Sequence, residues 1–155
     1  MPKCVILVGV PGSGKSTWLI DNTTVSSKIV STDNIIEGLA YAYGFTYNEI
    51  FSETIRFADM VMVKRMLEAA ESGLDLYIDR TNMSEKSRRQ FINKLKKYGY
   101  EFECVIFPTP EPEEWQRRLD SRPGKTIPQE ALDRMQNSYE IPLESEGFSK
   151  ITFIG

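Results

Sequence analysis

A glycine-rich run near the beginning of the chain carries a lysine and two hydroxyl side chains at a spacing that suits phosphate binding. Residues 9–16, GVPGSGKS, fit the pattern G-x-x-x-x-G-K-[ST] in full. The glycines let the backbone turn tightly and aim its N–H groups at phosphate oxygens. The lysine can reach the β- and γ-phosphates, and the serine hydroxyl can ligate Mg²⁺. We therefore expect ATP or a related nucleotide to bind through Gly12, Ser13, Gly14, Lys15, Ser16 and Thr17.

Two aspartates follow other apolar segments and are candidates for the remaining chemistry. Asp33 comes after KIVST and Asp79 ends LYID, and both segments are predicted to be short buried strands. The chain has no histidine, so a general base must be a carboxylate, and Asp33 is the best candidate to take a proton from an attacking hydroxyl. Asp79 can help to hold Mg²⁺ at the ligand-facing edge of the sheet. The simpler alternatives are a helix N-cap for Asp33 and a turn residue for Asp79.

An arginine-rich segment, EEWQRRLDSRPGKTIP at 113–128, supplies the third group of candidates. Arg118 and Arg122 are four residues apart and share a helix face if the helix extends that far. A Pro-Gly pair then breaks the helix into a loop. A lid that carries arginines can close over a transferring phosphoryl group and neutralise its charge, so both are predicted to be catalytic together with Lys15 and Asp33. The alternative is a solvated basic turn that is paired with Glu113, Glu114 and Asp120.

The elements that must position these residues alternate along the chain between strand and helix patterns. The predicted strands are KCVILVG, KIVST, DLYID, YEFECVIF and SKITFI, and helical spacing occupies the segments between them. Asn48 and Ser84 are expected to be helix N-caps, and Gly73 is expected to end a long helix. This alternation predicts an α/β fold with a five-stranded, mostly parallel sheet flanked by helices. A chain of 155 residues suits one domain, spanning 1–155.

Composition narrows the classes of function. No apolar run approaches the roughly 20 residues that cross a bilayer, and the N-terminus does not resemble a signal peptide, so we predict a cytoplasmic protein that does not bind membranes. Cys4 and Cys104 adjoin apolar runs and are predicted to be buried free thiols. The lack of histidine excludes Ser-His and Cys-His chemistry and, in practice, a zinc site. The net charge of −3 gives little support to a non-specific nucleic-acid binder.

Phosphate-binding loops serve motors, GTPase switches and small kinases, so the loop alone does not identify the function. The chain lacks the N-K-x-D and D-x-x-G motifs of a GTPase. A motor or an AAA-type ATPase would need an apolar run that ends in Asp-Glu and a larger body, and neither is present. A small kinase is therefore the class that the motifs favour.

Taken together, these residues resemble the P-loop polynucleotide 5′-hydroxyl kinases, both the bacteriophage type and the kinase domain of the animal DNA-repair enzymes. The resemblance is carried by GVPGSGKSTWL, Asp33, the IDRTN segment at 78–82, the arginine-bearing lid and YEIPLESEGFSKI near the end. It implies a P-loop kinase fold and transfer of the γ-phosphate of ATP, with Mg²⁺, to the 5′-hydroxyl of DNA or RNA. It also implies that Asp33 is the general base and that Arg122, with Arg118, clamps the donor phosphates.

Two positions depart from the phage pattern. The phage enzymes have an arginine three residues after the base aspartate, where it grips the acceptor's phosphate, and this chain has Ile36 there. They also have an aspartate just before the T-N pair, where this chain has Arg80. Either Arg80 supplies the acceptor-phosphate contact from the other side of the pocket, or the acceptor is not a nucleic-acid end. The open alternatives are a kinase of a small metabolite or modified nucleoside, including a toxin-like kinase of a sugar nucleotide, and a nucleotide-binding module without catalysis.

Three further features bear on partners. Lys86, Arg89 and Lys96 fall roughly on one face of a basic helix, which is more often a solvated face than a track for a phosphate backbone. The aromatic side chains of AYAYGFTYNEIF are more often core at this spacing than a platform for bases. The chain has no D-x-D-x-T phosphatase motif and no ligase lysine motif. If the protein belongs to a repair pathway, partner enzymes would supply the phosphatase and ligase steps, as separate chains or a severed domain.

Overall fold

A five-stranded sheet forms the centre of the molecule, described over all 155 residues by a computed structural model. Its strands are β1 (Lys3–Val8), β2 (Ser27–Val30), β3 (Asp75–Ile78), β4 (Glu101–Ile106) and β5 (Phe148–Phe153). They are ordered β2-β3-β1-β4-β5. Every neighbouring pair is parallel, so the sheet is fully rather than mostly parallel. The predicted α/β fold is confirmed.

Six helices connect the strands. They are α1 (Lys15–Asn22), α2 (Thr32–Tyr43), α3 (Tyr47–Glu71), α4 (Glu85–Leu95), α5 (Pro112–Asp120) and α6 (Gln129–Asn137). The central strand β1 is apolar from Cys4 to Val8 because helices cover both faces of the sheet. Helices α3 to α6 contribute to the larger core on one face, whereas α1 covers the smaller core on the other. No helix combines the length and the apolar character needed to span a membrane.

The helix caps correct two sequence-based expectations. Helix α3 begins after Thr46, whose hydroxyl accepts a hydrogen bond from the Glu49 N–H in a capping box, so the prediction of Asn48 as the cap is wrong. Helix α2 is capped by Ser31, whose hydroxyl accepts from the Asn34 N–H at 3.2 Å. Asp33 is therefore not the cap, and its carboxylate is available for other contacts. The predicted Ser84 cap of α4 is confirmed.

The sequence-based prediction of burial is confirmed for the two cysteines and wrong for the aromatic segment. Cys4 and Cys104 are buried free thiols, as expected, and burial raises the pKa of Cys104 to about 12. The aromatic segment around the α2–α3 turn is not core: Tyr41 is 92% exposed, Tyr43 73% and Phe45 52%. Tyr41 and Tyr43 lie in the last turn of α2, whose buried residues are Thr32, Ile36 and Ala40, and Phe45 follows Gly44, which ends the helix with a positive φ of 75°.

Candidate active site

The glycine-rich loop joins the end of β1 to the beginning of α1. Gly14 occupies the N-cap position of α1 with φ 103°, a conformation that favours glycine. Gly9 is required for a different reason, because a Cβ there would lie 2.6 Å from Ser13 Oγ and 3.0 Å from Phe107 Cβ. The buried Ser13 hydroxyl has no hydrogen-bond partner in the protein. A helix N-terminus with no acidic residue in its first turn, next to an unpartnered hydroxyl, suits an anionic ligand.

The Lys15 ammonium lies inside this loop. Its Nζ donates to the carbonyl oxygens of Gly9 at 2.6 Å and Val10 at 3.0 Å. Burial lowers the pKa of Lys15 to about 8, and the nearby carboxylates of Asp79 and Asp33 oppose that shift. Backbone carbonyls thus hold the lysine ammonium, which can exchange these hydrogen bonds for contacts with a bound phosphate group.

Asp79 follows β3 directly, and its N–H donates to the Val30 carbonyl of the neighbouring strand at 2.8 Å. Its carboxylate accepts no hydrogen bond from the protein, and burial raises its pKa while the charge of Lys15 opposes the increase. A carboxylate and the Ser16 hydroxyl are hard oxygen ligands of the kind that Mg²⁺ prefers. The chain forms no cluster of three acidic or thiol side chains that could hold a metal alone. The donor set therefore fits an ion that is shared with nucleotide phosphates.

Asp33 lies in the first turn of α2, and each of its carboxylate oxygens accepts a hydrogen bond. The Tyr47 hydroxyl donates to its Oδ1 at 2.7 Å, and the Lys125 ammonium donates to its Oδ2 at 3.2 Å. Neither partner was expected from the sequence. Tyr47 belongs to the aromatic segment that was predicted to be core, and Lys125 carries no motif of its own. A lysine just after the Pro-Gly break of the lid was the only available signal.

The arginine-rich segment differs in one respect from its prediction. Helix α5 ends at Asp120, so Arg122 lies in the following loop and does not share a helix face with Arg118. Arg118 donates to the Gly12 carbonyl at 3.0 Å and pairs with Glu114 at 2.9 Å, which ties α5 to the phosphate-binding loop. The guanidinium of Arg122 makes no hydrogen bond or ion pair and is therefore available to a ligand. The alternative of a segment paired with acidic residues holds for Arg117 and Arg118, which both pair with Glu114, but not for Arg122.

Hydrogen bonds hold the loop after β3 against the beginning of the phosphate-binding loop and the end of β1. The Thr81 carbonyl accepts a hydrogen bond from the Gly9 N–H at 3.0 Å, and the Asn82 amide donates to the Leu7 carbonyl at 2.7 Å. Arg80, in the same loop, faces Asp59 at 3.7 Å and lies 5.9 Å from the centre of the Phe91 ring. Ile36 is fully buried, so its side chain does not reach the site.

Two cavities meet at these residues. All of the predicted site residues line a cavity of about 980 Å³. A second cavity of about 590 Å³ is walled by the rings of Tyr47 and Phe51, whose centres lie 5.4 Å apart. Asp33, Arg80 and Arg122 are among the residues that line both. A phosphate donor in the larger cavity and an acceptor in the smaller one would therefore meet beside Asp33.

Comparisons with known proteins agree with this architecture. Residues 4–142 match the protein family described as an AAA domain (AAA_33). The family shares its name with the AAA-type ATPases, which need an apolar run that ends in Asp-Glu. In this chain β3 is followed by Asp79-Arg80 instead.

Two curated relatives align with nearly the whole chain. The chain is 21% identical to mouse heterogeneous nuclear ribonucleoprotein U-like protein 2, over 97% of this chain and 21% of that protein. It is 23% identical to the bifunctional polynucleotide phosphatase/kinase of Schizosaccharomyces pombe, over 96% of this chain and 32% of that protein. The chain thus spans only about a fifth to a third of the length of these relatives.

Solved structures share the fold. A chain of the PezAT chromosomal toxin-antitoxin system of Streptococcus pneumoniae superimposes with a TM-score of 0.68 at 20% identity, over 99% of this chain and 66% of that one. A chain of the Pnkp1/Rnl/Hen1 RNA repair complex superimposes with a TM-score of 0.58 at 26% identity, over 88% of this chain and 43% of that one.

Proposed function

The chain belongs to the AAA domain family (AAA_33) and is a P-loop kinase-type domain, and we propose that it transfers the γ-phosphate of ATP to the 5′-hydroxyl of DNA or RNA. One observation carries the proposal. Asp33, the candidate general base, lies where the phosphate-binding cavity meets a second cavity with an aromatic wall. A phosphotransferase needs such a junction, because donor and acceptor must meet at one carboxylate.

On the donor side, the backbone N–H groups of residues 12–17 and the Lys15 ammonium would hold the nucleotide phosphates. Arg118 steadies this loop from α5, and the unpaired guanidinium of Arg122 can neutralise charge on the transferring group. Ser16 and Asp79 would hold Mg²⁺, which when bound offsets the negative charge of the phosphates.

On the acceptor side, Asp33 takes the proton of the 5′-hydroxyl as its oxygen attacks the γ-phosphorus. The bond from the γ-phosphorus to the bridging oxygen of ADP breaks as the new phosphate ester forms, and ADP leaves with the bridging oxygen. The proton remains on Asp33 until solvent removes it. The site thus needs no covalent intermediate.

A nucleic-acid end is supported by the chemistry of the second cavity. The rings of Tyr47 and Phe51 offer a surface on which a terminal base can stack. Arg80 lines both cavities, and its pairing with Asp59 is loose at 3.7 Å, so it can turn to an acceptor phosphate. The names of two similar proteins, a polynucleotide phosphatase/kinase and an RNA repair complex, agree with this acceptor.

The experiment that tests the proposal is transfer of labelled γ-phosphate from ATP with Mg²⁺. The acceptors are a 5′-hydroxyl DNA oligonucleotide, its RNA counterpart, a 3′-mononucleotide and a free nucleoside. Asp33→Asn keeps the shape of the side chain and removes its basicity, so we expect kcat to fall by about 10²- to 10⁴-fold. ATP binding, measured by calorimetry, should remain. Asp133→Asn, an exposed aspartate on α6, is the matched control and should behave as the wild type.

Ile36 and Arg80 differ from the residues of the phage-type kinases at these positions. This difference favours one competing function, the phosphorylation of a small nucleotide or nucleoside. Label on the mononucleotide or nucleoside, with none on either oligonucleotide, would replace the polynucleotide acceptor by a small one. ATP binding with no label on any acceptor would instead indicate a nucleotide-binding module without this activity.

A further inference from the structure

We propose that Lys125 is a positioning residue that couples the lid to the general base, so that one side chain sets both Asp33 and the loop that carries Arg122. This inference rests on the proposed function for the role of Asp33. No sequence motif marks Lys125, and the contacts of its ammonium carry the argument.

Lys125 lies in a surface loop, yet its side chain is only 10% exposed. Its Nζ lies 3.2 Å from Asp33 Oδ2 and 2.8 Å from Glu37 Oε1. It also lies 4.4 Å from the centre of the Tyr47 ring, within cation–π distance. A largely buried lysine that two carboxylates and an aromatic ring surround is held in one position, unlike an ordinary surface lysine.

Tyr47 completes the arrangement from the opposite side. Burial, and then the hydrogen bond to Asp33, raise the pKa of Tyr47 above its usual range, so the hydroxyl remains a proton donor. With the tyrosine on Oδ1 and the lysine on Oδ2, the plane of the Asp33 carboxylate is fixed. Each carboxylate oxygen can accept a second hydrogen bond, so an acceptor hydroxyl still has a place to bind. The two contacts therefore orient the base without blocking it.

The same loop is docked on the beginning of α3 by its backbone. The Gly124 carbonyl accepts from the Asn48 N–H at 3.0 Å, and the Thr126 N–H donates to Asn48 Oδ1 at 3.2 Å. Gly124 has a positive φ of 69°, and a Cβ there would lie 2.7 Å from Thr46 Cβ. The close approach explains why a glycine occupies this position.

Arg122 is tied to this docked loop. The Lys125 N–H donates to the Arg122 carbonyl at 3.2 Å, so the two residues belong to one turn. When Lys125 reaches Asp33 and Glu37, it brings Arg122 to the junction of the two cavities. Release of Lys125 would loosen the turn that carries Arg122 and the Asp33 carboxylate together, leaving each with its remaining contacts to Asn48 and Tyr47. The Lys125 side chain thus links the arginine on the donor side to the carboxylate on the acceptor side.

The test compares Lys125→Met, Lys125→Arg and Glu37→Gln with the wild-type protein. Lys97→Met is the matched control, because Lys97 also lies over a tyrosine ring, that of Tyr98, but is exposed and lines neither cavity. The first readout is kcat and KM for ATP with the acceptor that the wild type labels. The second is hydrogen exchange at the Asn48 and Thr126 amides, which needs no activity.

We expect Lys125→Met to lower kcat by about 10- to 100-fold, because a small misplacement of reacting groups has effects of that order. KM for ATP should change little, and exchange at both amides should become faster. Lys125→Arg should restore most of kcat, since a guanidinium can span the same two carboxylates. Glu37→Gln should lie between Lys125→Met and the wild type in both readouts, because one of the two carboxylate partners remains.

Other outcomes would overturn the inference. A lower kcat with unchanged exchange would mean that Lys125 acts on Asp33 or on the substrate alone and does not couple the lid to the base. A higher KM for ATP with unchanged kcat would assign it to donor binding, and wild-type values for both readouts would leave it without a role. If the wild-type protein labels no acceptor, the proposed function fails. Exchange in Lys125→Met then still decides whether the lysine docks the lid.

Discussion

At the scale of single residues, Lys15 shows how burial and charge oppose each other in the site. Desolvation lowers its pKa from 10.5 to about 8, although Asp79 and Asp33 favour the charged form. Between about pH 8 and 10.5 the unfolded chain binds a proton that the folded protein has lost, so folding stability attributable to Lys15 rises with pH in that window. Below about pH 8 the cost of burying the charged group is fully present.

The lowered pKa of Lys15 predicts that nucleotide binding depends on pH. Phosphates prefer the protonated ammonium, so the affinity for ATP should fall as the pH rises through about 8. Calorimetric titration at a series of pH values would measure it. Lys15→Arg should be insensitive to pH in that range because a guanidinium stays charged. An affinity that is equally flat in the wild type would contradict the assignment.

At the scale of elements, α4 holds the loop after β3 in place through one buried arginine. Arg88 has no exposed surface, and its guanidinium forms a bidentate pair with Glu146 at 2.8 and 3.0 Å. It also donates to the carbonyls of Asn82 at 2.9 Å and Met83 at 3.0 Å. The loop that carries Asp79 and Arg80 is thereby joined to the short turn before β5. The basic face on the other side of α4, which includes Lys86 and Arg89, is exposed.

Arg88→Met should therefore destabilise the protein strongly. Loss of Arg88 leaves the buried Glu146 carboxylate without its cation and the Asn82 carbonyl without its donor, at a cost of about 3–5 kcal/mol. Urea unfolding would measure the change. Arg89→Met is the neighbouring control, since its pair with Glu85 is exposed and its loss should change stability by less than about 0.5 kcal/mol. Equal effects of the two substitutions would show that the buried network does not stabilise the fold.

At the scale of the whole molecule, the site is assembled from four segments that are distant in sequence. The phosphate-binding loop follows β1, Asp33 follows β2, Asp79 follows β3, and the lid follows β4 and α5. Because all five strands are parallel, their carboxyl ends meet at one edge of the sheet, and the order of strands reverses across β1. A ligand in the larger cavity would thus touch segments from most of the chain.

Nucleotide binding should consequently stabilise the entire fold. ATP with Mg²⁺ at about 100 times its Kd should add about 2.7 kcal/mol of stability. For a domain of this size that corresponds to an increase in Tm of about 5–11 °C. Differential scanning calorimetry should show one cooperative transition that shifts as a unit. Lys15→Met should abolish most of the shift, and a shift that persists in that variant would place the nucleotide elsewhere.

Much of this arrangement was predictable from sequence because it depends on short-range patterns. The phosphate-binding loop has a local motif, and the alternation of apolar strands with helical spacing predicted the parallel sheet. Parallel strands bring their carboxyl ends together, so Asp33 and Asp79 could be placed at one edge without coordinates. The capping of α4 by Ser84 was predicted from adjacent residues in the same way.

Other features depended on contacts between distant segments, which no local pattern specifies. Helix α5 ends before Arg122, and the rings of Tyr41 and Tyr43 point to solvent, although spacing alone favoured the opposite in both cases. Lys125 reaches Asp33 across 92 positions of sequence. The sequence by itself determined the fold class and the candidate residues for phosphate binding and for proton acceptance. The tertiary structure alone decided which side chains contact Asp33, because that depends on how the lid packs against the α2–α3 pair.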